Sequence, residues 1–188
     1  RSVYWDGERF ATSSTFARNG FHVFEGFPTT SNPTPDYLVG LDRVIAGLSS
    51  TSFLRPDSLT PFGDGGVLLR NNWRASVWRR FPSGNDPVDF TIGKPDAVLG
   101  GVLGRVSAAT LQSYSPHSHA FSRRDELVIA DGRRLLIWRP LPDVNFTPAD
   151  LVLGQPSAAS NLQGVDYRGL ERDTLAMPAG VSSVGDVT

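Results

Sequence analysis

The chain has no cysteine, one methionine and three histidines among its 188 residues, and each scarcity removes some chemistry. Without thiols there is no disulfide framework, no thiolate metal site and no cysteine nucleophile. The compartment stays open, since secreted proteins also do without disulfides. Charge of one sign is lacking as well: 18 basic residues stand against 19 acidic ones, a net charge of −1 and a pI near 6.3. That balance supplies no bulk positive field for nucleic acid or an anionic membrane surface, so neither partner is expected. No apolar run approaches the roughly 18 residues of a membrane span. The opening RSVYWDGERF carries no basic-then-apolar signal region. The expectation is a soluble chain, or a processed piece of a larger one, long enough to bury roughly two thirds of its unfolded surface. Helix signals are weak too. The best candidate, LGGVLGRVSAATLQS at 99–113, has three glycines in its first half and reads as loop.

What is abundant is turn residues, 19 glycines and 14 prolines, and a pattern stated more than once. Self-similarity at a fixed period marks repeat folds. In DELVIADGRRLLIWRPLP, two apolar bursts at 127–130 and 135–138 flank Asp-Gly, which predicts a β-hairpin. Sixty residues earlier GGVLLRNNWRASVWRRFP matches it without a gap, setting Arg74 under Arg134, Trp78 under Trp138 and Pro82 under Pro142. A more divergent copy, DGERFATSSTFARNGFHVFEGFP, keeps Val23, Phe24 and Pro28 in place, carries an insertion in its inner turn, and has Phe21 where the arginine should be.

Each hairpin is followed by an Asp-led apolar burst closed by glycine, from Asp36 to Gly40, Asp89 to Gly93 and Asp150 to Gly154. Asp96 to Gly100 is a rival for the second, set aside on its spacing from Pro82. A fourth short stretch follows a proline: PDSLTPF from Pro56, PHSHAFS from Pro116 and PAGVSSV from Pro178, with SVYWDG opening the chain. Four strands per unit of about 60 residues argue for radial repetition of small antiparallel sheets. The predicted fold is all-β, a β-propeller of four-stranded antiparallel blades with about three blades in this chain. The repeats run over 2–55, 56–115 and 116–177, with 178–188 starting a further blade. A sandwich of irregular strands is the competing reading, disfavoured by the gapless match of Arg, Trp and Pro.

The series LVIADGRRLLIWRPLP, ADLVLGQP and TLAMPAG resembles the NHL-repeat propellers of bacteria. The resemblance implies that Arg74, Arg134 and either Asn71 or Asn72 are structural. It also implies a ring of six blades, of which three units are half, closed by dimerisation with a second copy or by blades outside this sequence. A secreted or periplasmic location is a preference drawn from the resemblance alone. Such propellers serve as binding modules and as enzymes, so fold does not choose between the two.

The innermost strands of a propeller line its channel. His117 and His119 lie at period two, on one strand face, an imidazole pair of the kind that serves zinc or copper. Some NHL-like amidating lyases place zinc on histidines that follow the proline of this strand. His117 resembles that arrangement, while the matching positions in the neighbouring repeats are Asp57 and Ala179. The candidate metal set is therefore His117, His119 and Asp57, for zinc or calcium, set against the plainer reading of a solvated histidine at the channel mouth. No other cofactor is expected. His22, between Phe21 and Val23, reads as an outward-facing strand residue.

Other motifs lead elsewhere. There is no GxSxG, and the glycine-rich GDGG at 63–66 and GGVLG at 100–104 lack the Lys-Ser or Lys-Thr of a phosphate loop. Asn145-Phe146-Thr147 has the form of a glycosylation acceptor but precedes Pro148 and is discounted. Arg70, Arg74, Arg79 and Arg80, interleaved with Trp73 and Trp78, would suit a nucleic-acid platform; the recurrence of Arg74 and Trp78 as Arg134 and Trp138 favours packing. The expected function is a non-catalytic binding or interaction module, presenting loops and the channel mouth to a protein or small ligand. The alternative is a metal-dependent propeller enzyme, amidating-lyase-like or lactonase-like, with its site in the channel.

Overall fold

A computed structural model describes residues 2–14, 19–41, 56–71, 73–96, 105–112, 120–155, 157–159 and 175. Among them are twelve strands and no helix. The first sheet is a meander of β1 (Val3–Trp5), β2 (Arg9–Ser14), β3 (Asn19–Glu25) and β4 (Tyr37–Leu41). The second repeats the order with β5 (Pro56–Phe62), β6 (Gly66–Asn71), β7 (Arg74–Trp78) and β8 (Phe90–Ile92), and the third with β9 (Ala120–Arg123), β10 (Glu126–Asp131), β11 (Arg134–Trp138) and β12 (Leu151–Leu153). All pairings are antiparallel.

The central hairpins follow the sequence match residue for residue. Val67 faces Trp78 and Asn71 faces Arg74; sixty residues on, Leu127 faces Trp138 and Asp131 faces Arg134. Gly132, at φ 68°, takes the left-handed conformation this two-residue turn requires. In the first sheet Phe10 faces Phe24, so Phe24 holds the place of the two tryptophans. Two expectations need correction. The arginine's place in the first sheet is held by Gly20, not Phe21: Phe21 faces Val39 just as Ala75 faces Ile92. A side chain at Gly20 would overlap the Val39 carbonyl, while Phe21 is fully buried and meets Trp78 and Phe81 edge-on at 5.9 and 6.1 Å. The second correction concerns the inner strands, which are offset by one residue more than the hairpins, Leu59 facing Leu69 and Ala120 facing Ile129. The cause is turn length. Gly63-Asp64-Gly65 joins β5 to β6, whereas only Arg124-Asp125 joins β9 to β10, with Arg124 at φ 45°.

The aspartate that opens each outer strand is a repeated bracket. The N–H groups of Asp36, Asp89 and Asp150 donate to the carbonyls of Val23, Val77 and Ile137, each at 2.9 Å. Their carboxylates accept from the backbone N–H of Glu25, Arg79 and Arg139 at 2.8, 2.8 and 2.7 Å. This bracket selects Asp89 over Asp96 as the start of β8.

Because side chains alternate across a strand, each sheet has two faces. Tyr4, Phe21, Val23 and Val39 of the first sheet pack with Leu59, Val67, Leu69 and Trp78 of the second. On its other face Leu68, Val77, Phe90 and Ile92 pack with Leu127, Ile129, Leu136 and Trp138 of the third. Each such side chain, fully buried, contributes about 1.5–3 kcal/mol. The middle sheet is covered on both faces, and every residue of β6, β7 and β8 is buried. Inner strand β5 touches β1, β2 and β9, so the inner strands gather on one side. Outer strands are tied to the next sheet by an asparagine: Asn85 Oδ1 accepts from the Gly40 N–H at 3.2 Å, and Asn145 Oδ1 from the Thr91 N–H at 2.8 Å.

Candidate functional site

The turns after β6 and β10, the starts of the inner strands and the chain leaving β8 and β12 all lie at one end of the sheets. Polar side chains concentrate there, inside rather than on the surface. Arg134 is completely buried, and its Nε and Nη2 donate to Asp131 Oδ2 at 3.0 and 2.9 Å. The remaining guanidinium hydrogens reach the carbonyls of Ser107, Ala158 and Thr110 at 3.1, 3.0 and 2.8 Å. Asp131 uses its other oxygen to accept from the Gln112 N–H at 2.8 Å and from Arg70 Nη2 of the second sheet at 3.4 Å. A single buried carboxylate thus joins two sheets and the segment 107–112.

In the second sheet Asn71 stands where Asp131 stands in the third. Arg74, equally buried, therefore faces an amide across the hairpin instead of a carboxylate. Burial lowers its pKa to about 10, opposed by Asp96. Lys94, following Gly93, is buried as well; burial and then Arg74 lower its pKa. Arg70 is also lowered by burial, opposed by Asp131 and Asp57. At this end of the second sheet the buried cations Arg70, Arg74 and Lys94 therefore lie among the carboxylates of Asp131, Asp57 and Asp96.

Asp57 is set there by an irregularity. Pro56 faces Asn71 and Ser58 faces Arg70, so Asp57 is the extra residue of a β-bulge, a device that re-aims a side chain and recurs near functional sites. It is half-buried and lies within electrostatic reach of Arg70. Its two proposed partners, His117 and His119, and the matching Ala179, lie outside the described residues. Among the described residues, no three His, Cys, Asp or Glu side chains gather closely enough to hold a metal ion. His22 is half-buried between fully buried Phe21 and Val23, on the face turned away from the second sheet.

The four-arginine cluster divides. Arg70 and Arg74 are internal, while Arg79 and Arg80 are exposed at the opposite end, beside a groove with Trp78, Phe81, Asp86 and Asp89. Arg79 pairs with Asp89 at 3.8 Å, and the indole N–H of Trp78 donates to the Asp86 carbonyl at 3.1 Å. Trp138 donates to the Thr147 carbonyl in the same way at 3.0 Å. No continuous basic platform results among the described residues.

The connections leaving the outer strands are pinned by glycine. At Gly93, φ 87°, a Cβ would fall 2.5 Å from Leu111 Cγ; at Gly154, φ 86°, it would fall 2.6 Å from Leu175 Cγ. Thr-Leu occurs at both 110–111 and 174–175, and in each case its leucine packs onto the end of the outer strand. Sequence reasoning missed Lys94 and Asp131 as parts of this end. For Asp131 the signal was an acid where the preceding repeat has Asn71. Comparison with protein-family models, with curated proteins and with solved structures finds no match to this chain.

Proposed function

We propose that the three sheets are blades of a β-propeller and that the chain is a non-catalytic binding module, using the connections and channel mouth at the Asp57 end. One observation carries this reading: the recurring residues are occupied in the scaffold. Arg134, Trp78 and Trp138, the three bracket aspartates and Asn85 and Asn145 all have intramolecular partners. What varies between repeats is the connection from outer to inner strand, residues 42–55 in one case and 93–119 in the next. A rigid frame with variable connections at one end is the arrangement in which recognition is placed on loops. The resemblance of the ADLVLGQP repeats to NHL propellers supports the ring.

The competing reading is a metal-dependent enzyme that uses His117, His119 and Asp57. Elemental analysis of the purified chain after equilibration with zinc or calcium and gel filtration separates the two. No stoichiometric metal is expected. Retention of one metal per chain, lost in His117→Ala and weakened in Asp57→Asn, would overturn the non-catalytic reading.

A further inference from the structure

Sheet faces can be compared position by position, because the three sheets share one register. On the third sheet Leu151 faces Ile137 and Leu153 faces Leu135, as Phe90 faces Val77 and Ile92 faces Ala75 on the second. Phe90 and Ile92 are 3% and 0% exposed beneath the third sheet, whereas Leu151 and Leu153 are 49% and 42% exposed. On the first sheet a row of Trp5, Phe10 and Phe24 crosses three strands. Phe10 and Phe24 hold the places of Val67 and Trp78, and of Leu127 and Trp138, all of which are buried. In the first sheet the same face leaves Val3 65% and Trp5 45% exposed. Phe27, 65% exposed, extends the patch, edge-on to Trp5 and Phe10 at 5.7 and 5.2 Å.

We infer that a second copy of this chain covers both faces. The outer-strand part of one copy's third-sheet face, where Leu151 and Leu153 are exposed while Val128 and Ala130 of the same face are buried, seats on the exposed face of the other's first sheet, and reciprocally, so that two copies close into one ring of six sheets. The interfaces inside the chain specify this occupant. Twice the face bearing the outer-strand apolar pair, Val39 with Val23 and then Ile92 with Val77, packs on the face of the next sheet that bears the tryptophan. The two uncovered faces are one of each kind, complementary to each other and neither to itself. The polar tie is repeated as well. Asn32 is exposed and stands four residues before Asp36, as Asn85 stands before Asp89; it is placed to accept from the Gly154 N–H of a partner as Asn85 accepts from the Gly40 N–H. A net charge of −1 opposes self-association only weakly. Closure gives two equivalent junctions about a two-fold axis, the commonest symmetry of homo-oligomers, and removes apolar patches of the kind that otherwise aggregate. It also completes the Asp57 end, bringing the inner strands of both copies around one channel. This pairing rests on sheet packing and stands whether or not the binding reading holds.

Light scattering coupled to size exclusion tests it on the full chain, at several concentrations, together with Trp5→Glu and Leu151→Lys. Both positions are exposed within one chain, so each variant should keep its fold, which circular dichroism checks. The expected result is twice 20.4 kDa for the unmodified chain and the single mass for each variant. An equimolar mixture of the two variants should regain part of the dimer, because one junction of the mixed pair is intact. A monomeric unmodified chain, a mass that climbs with concentration, a dimer that both variants keep, or dissociation by only one of them would overturn the pairing.

Discussion

Arg134 is held by one carboxylate and three carbonyls with no exposure to solvent. Removing that carboxylate deprives two buried guanidinium groups, Arg70 and Arg134, of the anion they share. Breaking a buried pair from one side typically costs about 3–5 kcal/mol, so Asp131→Ala should lose that much in chemical denaturation. Glu126→Ala is the surface control: it removes an exposed pair with Arg139 and should change stability by less than about 1 kcal/mol. Equal losses for the two variants would contradict the account of Asp131 as the joint between sheets. The arginine was legible in the sequence because it recurs at a fixed distance. Asp131 was not, because an Asp-Gly turn already explains an aspartate there. The Asp57 bulge was invisible for another reason, since a bulge exists only relative to the register of the facing strand.

At the scale of elements, the Asp-led, Gly-closed bursts became the outer strands because each end has a physical function. The aspartate brackets the preceding strand, the glycine takes positive φ, and at Gly93 and Gly154 it also admits the leucine that follows across it. Gly93→Ala violates both requirements at once, in backbone conformation and in space. A loss of about 2–4 kcal/mol is expected from strain and overpacking together, measured by thermal or denaturant unfolding. Gly84, which has open space around it and no positive φ, is the control, and Gly84→Ala should be near neutral. A near-neutral Gly93→Ala would mean that Leu111 does not pack as described. The errors of sequence reading also belong to this scale. A one-residue slip reverses the face of every side chain in a strand: with Phe24 in the tryptophan's place, the arginine's place falls on Gly20, and Phe21, one position further, lies on the opposite face. The inner-strand offset was hidden because a turn shortened from three residues to two leaves the flanking apolar pattern intact.

For the whole molecule, the repeat period was enough to predict three small antiparallel sheets, and the alternating burial explains why they stand side by side. How the ends are covered was not legible, because exposure is a property of faces and not of residue types: Leu151 and Phe90 are equally apolar in sequence and opposite in burial. The central claim is that the first sheet of one copy continues the third sheet of another. The internal junction shows which side chains would then meet. Thr60 Oγ1 donates to the Ala120 carbonyl across the second and third sheets at 3.2 Å. Phe121 holds the place of Thr60, facing Val128 as Thr60 faces Leu68, and Val3 holds the place of Ala120. The chain has no cysteine of its own, so Val3→Cys combined with Phe121→Cys introduces the only two thiols. Disulfides need Cα atoms about 4.4–6.8 Å apart. Under mild oxidation the double variant should run as a covalent dimer in denaturing electrophoresis, reverting to monomer on reduction. A disulfide confined within single chains, or none at all, would contradict closure by a second copy.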